Sequence, residues 1–504
     1  MTRIAGVGAY APRHRIDADA VRAGLGRFAA SGVEATAVPD ADEDALTMGW
    51  EAGRRALAAA GADAADVELL AFGTTTPPLA EEDLTSRLGA FLGVPERATR
   101  RYHLGSTRAG VDALLSAADA DRTPALAVAA DCPRGAPTDA VDHAAGAGAA
   151  AFVLATGGDA AVLDRASAGA DYPGTRFREA ADDRTRGLSV RSYDRAAATE
   201  VVADAVAELD EPVTGGGVDA LALTAADGKR PYRVAAKLGF DAAEVVSPVA
   251  DLGDLGAASA PVALALAHSQ GIDRTLVVGW GSGASADAVV VGGTAPTACD
   301  LAREDGAFVD YATYLRLRGE LTDGGPAGGG ARVSTPSWRR RQEARYRLVG
   351  GRCADCGSVQ FPGEGACDGC GSLGVWEPTR LARRGTVATA TTVGPDGAPP
   401  EFVEQADRVG DFGVTVVEFP VAADDSEPGG EPEAERESDG DGPDPHDADA
   451  SVAVPMQVTG PTRASVAAGD EVRAVVRRIH TQDGLARYGS KVTPAGEASD
   501  DPNV

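Results

Sequence analysis

Two Cys-x-x-Cys pairs, Cys353-Ala354-Asp355-Cys356 and Cys367-Asp368-Gly369-Cys370, constrain this chain more than any other stretch. Ten residues separate the pairs, which hold four of the six cysteines. A tight turn across each pair aims two sulfurs at one point. Two such turns facing each other make a tetrahedral set of four thiolates. That set suits zinc, which binds thiolate directly and imposes no geometry of its own. Gly357 and Gly371 follow the second cysteine of each pair, where a knuckle turn needs positive φ. The competing readings are two disulfides or a redox pair. Equal spacing, no signal-peptide pattern in the stretch that Met1-Thr2-Arg3-Ile4 opens and no nearby strand–helix unit favour the metal. Such a site is closed, so Cys353, Cys356, Cys367 and Cys370 are expected to hold a fold. The chemistry must lie elsewhere.

With 504 residues the chain is too long for one core and should contain two to four domains. Its net charge is −29, from 76 acidic against 47 basic residues, with lysine almost absent. Phosphate-backbone binding needs basic surface, so nucleic acid is not expected as the main partner. A solvated acidic surface, as in halophilic proteins kept soluble at high salt, fits better. No apolar run approaches the length of a membrane span. Cys132 and Cys299 fit a reducing compartment, so a soluble, cytoplasmic protein is expected.

Residues 1 to about 295 alternate short apolar runs with longer amphipathic ones. Strands are expected at 67–73, 125–130, 218–223 and 275–279, and helices at 44–60, 109–118, 196–209 and 259–268. Strands separated by helices imply parallel pairing and an α/β class. The pattern also repeats. Val67 and Val218 are equivalent, as are Ala125 and Thr275, and the helices after Thr107 and near Ala258 share that offset of about 150 residues. A duplicated half burying its sheet against its twin is the natural reading. Ligands of such folds sit at the carboxyl ends of strands, where the halves meet. Chemistry is therefore sought at 74–76, 103–108, 131–133, 224–230 and 281–284.

Several stretches carry a family resemblance: Ile4-Ala5-Gly6-Val7-Gly8-Ala9-Tyr10-Ala11-Pro12, Ala109-Gly110-Val111-Asp112-Ala113-Leu114, Asp227-Gly228-Lys229-Arg230-Pro231, Gly281-Ser282-Gly283-Ala284-Ser285-Ala286-Asp287-Ala288 and residues 311–319. Residues 1 to about 322 resemble the archaeal hydroxymethylglutaryl-CoA synthase family. The resemblance implies a thiolase fold of two halves, about 1–158 and 159–322. It also implies a cysteine nucleophile, a glutamate acid/base and a histidine that condense acetyl-CoA with acetoacetyl-CoA. Here this sequence departs. Thr107 stands where the family cysteine precedes x-Ala-Gly, Thr75 where its glutamate follows Gly-Thr, and Thr224 where its histidine stands five residues before Lys229. The family's Asn-Thr-Tyr loop has become Asp254-Leu255-Gly256.

A thiolate at a helix N-terminus ionises near neutral pH, whereas a threonine hydroxyl needs an adjacent base. His103, Glu81 and Glu82 are candidate substitutes for the base, and Cys132 for the nucleophile. The blander reading makes them a packed histidine, two carboxylates at the polar start of a helix and a small buried residue. Lys229 and Ser282 match family residues of the acyl-CoA pocket. A solvated turn lysine and an ordinary Gly-Ser-Gly turn are the alternatives.

Residues 323–336 read as a flexible linker. An arginine-rich amphipathic helix, Ser337–Leu348, follows, with Trp338, Tyr346 and Arg345 on one face. It is read as docking against the acidic first half, with contact to CoA phosphates as the alternative. Helix and four cysteines make a unit of 337–377. Strands at 385–393, 413–419 and 470–477 then suggest a small barrel over 378–494. Within it, 423–450 carries twelve acidic residues, one arginine and no large apolar side chain, and is expected to be a disordered insertion, as is the tail 495–504. Arg345-Tyr346-Arg347-Leu348-Val349, the cysteines, Phe361-Pro362 and Arg487-Tyr488-Gly489-Ser490-Lys491 resemble the zinc-ribbon plus OB-fold family that accompanies archaeal acyl-CoA condensing enzymes.

Together the resemblances imply structural zinc, a coenzyme A thioester ligand and a thiolase or synthase subunit as partner. They also imply a homo- or hetero-oligomer and a place in isoprenoid or related acyl-CoA metabolism. With Cys, Glu and His all replaced, a diverged partner or scaffold is the preferred expectation. An acyltransferase using other residues and a nucleic-acid-binding zinc-ribbon/OB protein are the alternatives.

Overall fold

The computed structural model describes residues 2–180, 182–188, 190–213, 216–303, 305–321, 334–422, 450–482 and 484–497. The expected linker falls almost wholly outside these residues. So do the acidic insertion, except Ala450, and the last part of the tail. The chain divides into two compact units, one within Met1–Gly325 and one comprising Pro326–Ala406 and Gly410–Asp500.

In the first unit, five strands run in the order Arg3–Tyr10, Gly148–Ala155, Ala125–Asp131, Leu69–Gly73 and Thr99–His103, with Thr297–Asp300 added beside the first. The second sheet runs Ala161–Tyr172, Gly283–Gly292, Arg274–Gly281, Ala220–Leu223 and Val245–Val246. Position by position the two orders match, and so do the directions. Leu69–Gly73 is parallel to Ala125–Asp131, as Ala220–Leu223 is to Arg274–Gly281. The duplication expected from sequence spacing is thus the architecture. The strand expected from Val67 starts at Leu69, because Asp63 caps a 3-10 turn over Ala64–Asp66 by accepting from the Ala65 N–H.

Helices Ala109–Ala118 and Ser259–Ser269 contribute to a core shared with both sheets, which includes Val111, Leu114, Phe152, Ala222, Val262 and Val277. Ser259–Ser269 is apolar on every side, and all its residues from Ser259 to His268 are buried, as a helix without a polar face must be. A second core lies under helix Arg191–Ala207 against Val278, Trp280 and Val290.

His268 is carried into that interior. The Ala295 N–H donates to its Nδ1 at 3.3 Å, and burial pushes the imidazole down to about 4. The native state therefore binds a proton less readily than the unfolded chain, whose histidine titrates near 6.5. Stability from this group is fully present above pH 6.5 and is lost as the pH falls towards 4. His268→Gln should remove about 2 kcal/mol of the acid-side loss, read from urea unfolding at pH 7 and pH 4.5. Equal acid slopes in variant and wild type would refute this.

In the second unit the single helix expected over 337–348 is two short ones, Thr335–Arg340 and Gln342–Arg347. Trp338 and Tyr346 are both buried. The face expected to dock elsewhere is used within this unit: Arg345 stacks on Trp338, and the Ser490 hydroxyl donates to the Arg345 carbonyl at 2.7 Å. Three short antiparallel strands follow, Val349–Cys353, Val359–Gln360 and Trp376–Arg380. A five-stranded antiparallel sheet runs Ser451–Gln457, Phe412–Pro420, Arg384–Val393, Glu471–Gln482 and Leu485–Pro494. A parallel bridge between Val458 and Val492 brings its two outer strands together, so the barrel is nearly closed. Val417, Phe419, Val454, Val472, Ala474 and Val492 belong to its core.

Candidate functional site

The strand Thr99–His103 leads to the helix Ala109–Ala118, and Thr107 stands at that entrance. Gly110 allows the close approach of the two halves here: a Cβ on it would lie 2.0 Å from the Ala257 carbonyl oxygen. Thr107 is buried, and its hydroxyl donates to the Trp280 carbonyl at 2.6 Å. The Trp280 N–H in turn points to the Thr224 hydroxyl at 3.3 Å. Thr107 and Thr224 thus flank the backbone of one residue, and the Thr107 proton is held by an amide acceptor instead of a base. His103 does not serve that role. Its Nε2 lies 2.9 Å from the Ser116 hydroxyl, and burial lowers its pKa.

Thr75 belongs to a third arrangement, centred on Asp131. This fully buried carboxylate accepts from the hydroxyls of Thr74, Thr75 and Thr76 at 2.9, 2.6 and 2.6 Å. It also accepts from the N–H groups of Thr75, Thr76 and Ala257 at 2.8, 2.8 and 2.7 Å. The Thr75 hydroxyl is therefore a donor to a neighbouring carboxylate. Asp131 escaped the sequence reading. Its signal was an acidic residue closing an otherwise apolar strand, Ala125-Leu126-Ala127-Val128-Ala129-Ala130-Asp131.

Asp254 is buried and paired with Arg176. Arg178 from the same loop bonds the Thr75 carbonyl. The Ser282 hydroxyl accepts from the Thr175 hydroxyl at 2.7 Å and the Arg176 N–H at 3.0 Å, so it anchors this arginine-bearing loop. Lys229 is exposed at the start of helix Arg230–Leu238. Its backbone N–H donates to Asp227 at 2.8 Å, and its amine has no hydrogen bond or ion pair among the described residues. Glu81 is exposed, and Glu82 pairs with Arg87 at 2.5 Å.

Cys132 lies beside the Asp131 cluster, with its sulfur 3.7 Å from the Thr76 hydroxyl. Burial pushes its thiol up to about 11 and that of Cys299 up to about 12. At pH 8 about one thiol in a thousand of Cys132 is ionised, far too few for a working nucleophile. Iodoacetamide at pH 8 should leave both cysteines unmodified in the folded protein within an hour, by peptide mass spectrometry. Rapid alkylation of Cys132 would reopen its candidacy.

In the second unit the four ribbon sulfurs all lie within 4.8 Å of one another. Cys353 and Cys370 are 3.8 Å apart, and Cys356 and Cys367 are 3.6 Å apart. Thiolates at about 2.3 Å from a tetrahedral zinc stand about 3.8 Å from each other, so the cluster fits that ion. The two knuckles are built alike. The Gly357 N–H donates to the Cys353 carbonyl at 2.8 Å and the Gly371 N–H to the Cys367 carbonyl at 2.7 Å. Both glycines have positive φ, 76° and 72°.

Residues 340–375 match the family model "ChsH2, rubredoxin-like zinc ribbon domain", and residues 210–292 match "3-Oxoacyl-[acyl-carrier-protein (ACP)] synthase III C terminal". Hydroxymethylglutaryl-CoA synthase of Methanocella arvoryzae is 29% identical over 348 residues, covering 63% of this chain and 98% of that protein. The synthase of Thermococcus gammatolerans is 36% identical over 160 residues, 30% of this chain and 44% of that protein. Among solved structures, an HMG-CoA synthase complexed with CoA superposes with a TM-score of 0.54 at 14% identity, covering 66% of this chain and 95% of that one. FabH of Pseudomonas aeruginosa superposes with a TM-score of 0.51 at 22% identity, covering 58% and 98%. The first unit is therefore a thiolase-like homologue of the archaeal hydroxymethylglutaryl-CoA synthases, carried on one chain with a ChsH2-type zinc ribbon and a nearly closed antiparallel barrel.

Proposed function

We propose that this chain binds acyl-CoA without condensing it, and acts as partner or scaffold for an acyl-CoA condensing enzyme in isoprenoid or related acyl-CoA metabolism. One observation carries this reading. The hydroxyls of Thr107, Thr75 and Thr224, which the sequence resemblance sets in place of the nucleophile, the acid/base and the histidine, are each engaged by Trp280 or Asp131. Acyl transfer through an enzyme needs a nucleophile that ionises and a group that moves its proton. A threonine donating to an amide carbonyl offers neither. The Arg176–Asp254 pair stands at the place of the family asparagine and would further limit charge development there.

Ligand retention rests on kinship: solved structures of the same fold hold CoA and 3-hydroxy-3-methylglutaryl coenzyme A. Lys229 and Ser282 are the proposed pocket residues on this chain. The barrel is read as OB-type, because its strand order and the Val458–Val492 bridge give a five-stranded barrel closed between first-edge and last-edge strands. The ribbon's zinc, bound by Cys353, Cys356, Cys367 and Cys370, would be structural. Among the described residues no helix is long and apolar enough to cross a membrane. Calorimetry with acetyl-CoA and acetoacetyl-CoA should show binding, with no hydroxymethylglutaryl-CoA formed by the purified chain. Product formed by this chain alone sinks the proposal, as does absence of any acyl-CoA binding.

A further inference from the structure

The second unit gathers positive charge where the chain as a whole is strongly acidic. On helix Gln342–Arg347, the Arg345 guanidinium carbon sits 3.9 Å from the centre of the Trp338 ring. Arg487, on the last barrel strand, sits 5.1 Å from the same ring. His480 is the cross-strand partner of Arg487, and its ring meets Phe402 edge-on at 6.3 Å. Lys491, two pleats further along the same strand, is fully buried, with its amine 3.1 Å from the Gln405 side-chain oxygen.

Like charges held together and partly withdrawn from water repel one another and lose hydration. Stacking on one indole recovers less than a desolvated guanidinium loses. No carboxylate forms an ion pair with Arg345 or Arg487 among the described residues, and the Nε atoms of both, with Nδ1 of His480, are buried without a hydrogen-bond partner. The same crowding shows in titration. Burial lowers the Arg345 pKa; Tyr346 raises it, and Arg341 and Arg487 lower it. Burial also lowers that of His480. Glu401 opposes this, while Arg487, Arg345 and Lys491 reinforce it.

We infer that Arg345 and Arg487, both held on the Trp338 ring, form with His480, the cross-strand partner of Arg487, a binding site for a phosphate ester. Guanidinium forks match phosphate oxygens in pairs, and the imidazole supplies a further donor. If the acyl-CoA reading above holds, the nucleotide end of that ligand is one source of the phosphates; a free phosphorylated metabolite is the other. The site itself does not depend on that reading.

The test is calorimetry on the full-length protein with inorganic pyrophosphate, coenzyme A and a single-stranded oligonucleotide, in wild type and in the Arg345→Gln/Arg487→Gln double variant. Zinc content and circular dichroism establish that the variant is folded, and Trp338→Phe, which keeps both charges, serves as a second variant. Pyrophosphate should bind the wild type and lose at least tenfold in affinity in the double variant, with a smaller loss in Trp338→Phe. A parallel loss for coenzyme A assigns the source to its nucleotide end. An unchanged coenzyme A affinity with lost pyrophosphate binding supports the site and points to a free phosphate. Undetectable pyrophosphate binding to wild type, or equal affinity in the folded double variant, overturns the proposal. So does a loss confined to the oligonucleotide, which would assign the cluster to nucleic acid.

Discussion

Cys367→Ser protein should purify without zinc and with residues 349–380 unprotected, while the wild type carries one zinc per chain. Apart from Val359 and Phe361, which pack against the barrel core, the ribbon has little else to hold it. Its strands are five, two and five residues long, and Leu373 and Val375 near the second knuckle are 81% and 71% exposed. A sheet of that size does not stand alone in water. Structural zinc in small modules supplies on the order of 10 kcal/mol or more of folding free energy, so the loss of one thiolate should unfold the ribbon. Cys356 and Cys370 are exposed, so a strong chelator should have the same effect on the wild type. Elemental analysis with hydrogen exchange of residues 349–380 checks both. Retained protection in metal-free protein would show that the barrel and helices suffice.

The second large effect belongs to Asp131. Asp131→Ala leaves three hydroxyls and three N–H groups without their shared acceptor in the interior between the halves. Donors stranded in that way cost about 1–3 kcal/mol each before relaxation, and removal of a buried charged hub commonly costs about 3–5 kcal/mol in all. A loss of that size in urea unfolding is expected. Asp131→Asn should fall between variant and wild type, because it keeps one acceptor oxygen and turns a donor towards other donors. The neighbouring chain cannot close the gap: a Cβ on Gly256 would meet the Asp131 carboxylate at 2.2 Å, so this backbone is already in contact with it. A loss under about 1 kcal/mol would mean that water replaces the carboxylate there.

The duplicated architecture was legible because strands buried on both faces leave short apolar runs, and their spacing repeats at about 150 residues. The ribbon was legible because four thiolates at one point leave no other economical geometry. Less was visible where contacts are tertiary. The strand Ser451–Gln457 shows only weak alternation, with exposed Ser451, Ala453 and Pro455 between inward Val452, Val454 and Met456. The split of the arginine-rich helix at Arg341 has no sequence marker; it lets Trp338 and Tyr346 both turn inward. The arginine loop has no period to read. Arg176 and Arg178 acquire meaning only from Asp254 and the Thr75 carbonyl, which lie 78 and 103 residues away along the chain. Asp131 had a signal, a carboxylate closing an apolar strand within the positions 131–133. Its role depends on the hydroxyls of Thr74, Thr75 and Thr76 and the N–H of Ala257, which are remote from it in the chain.

Intact-mass spectrometry of the purified chain after incubation with acetyl-CoA most directly probes the loss of the attacking group. Unmodified protein is expected, at neutral pH and over hours, even where calorimetry shows the thioester bound. A stoichiometric gain of one acetyl group, mapped to Thr107, Cys132 or another residue between the two halves, would contradict it.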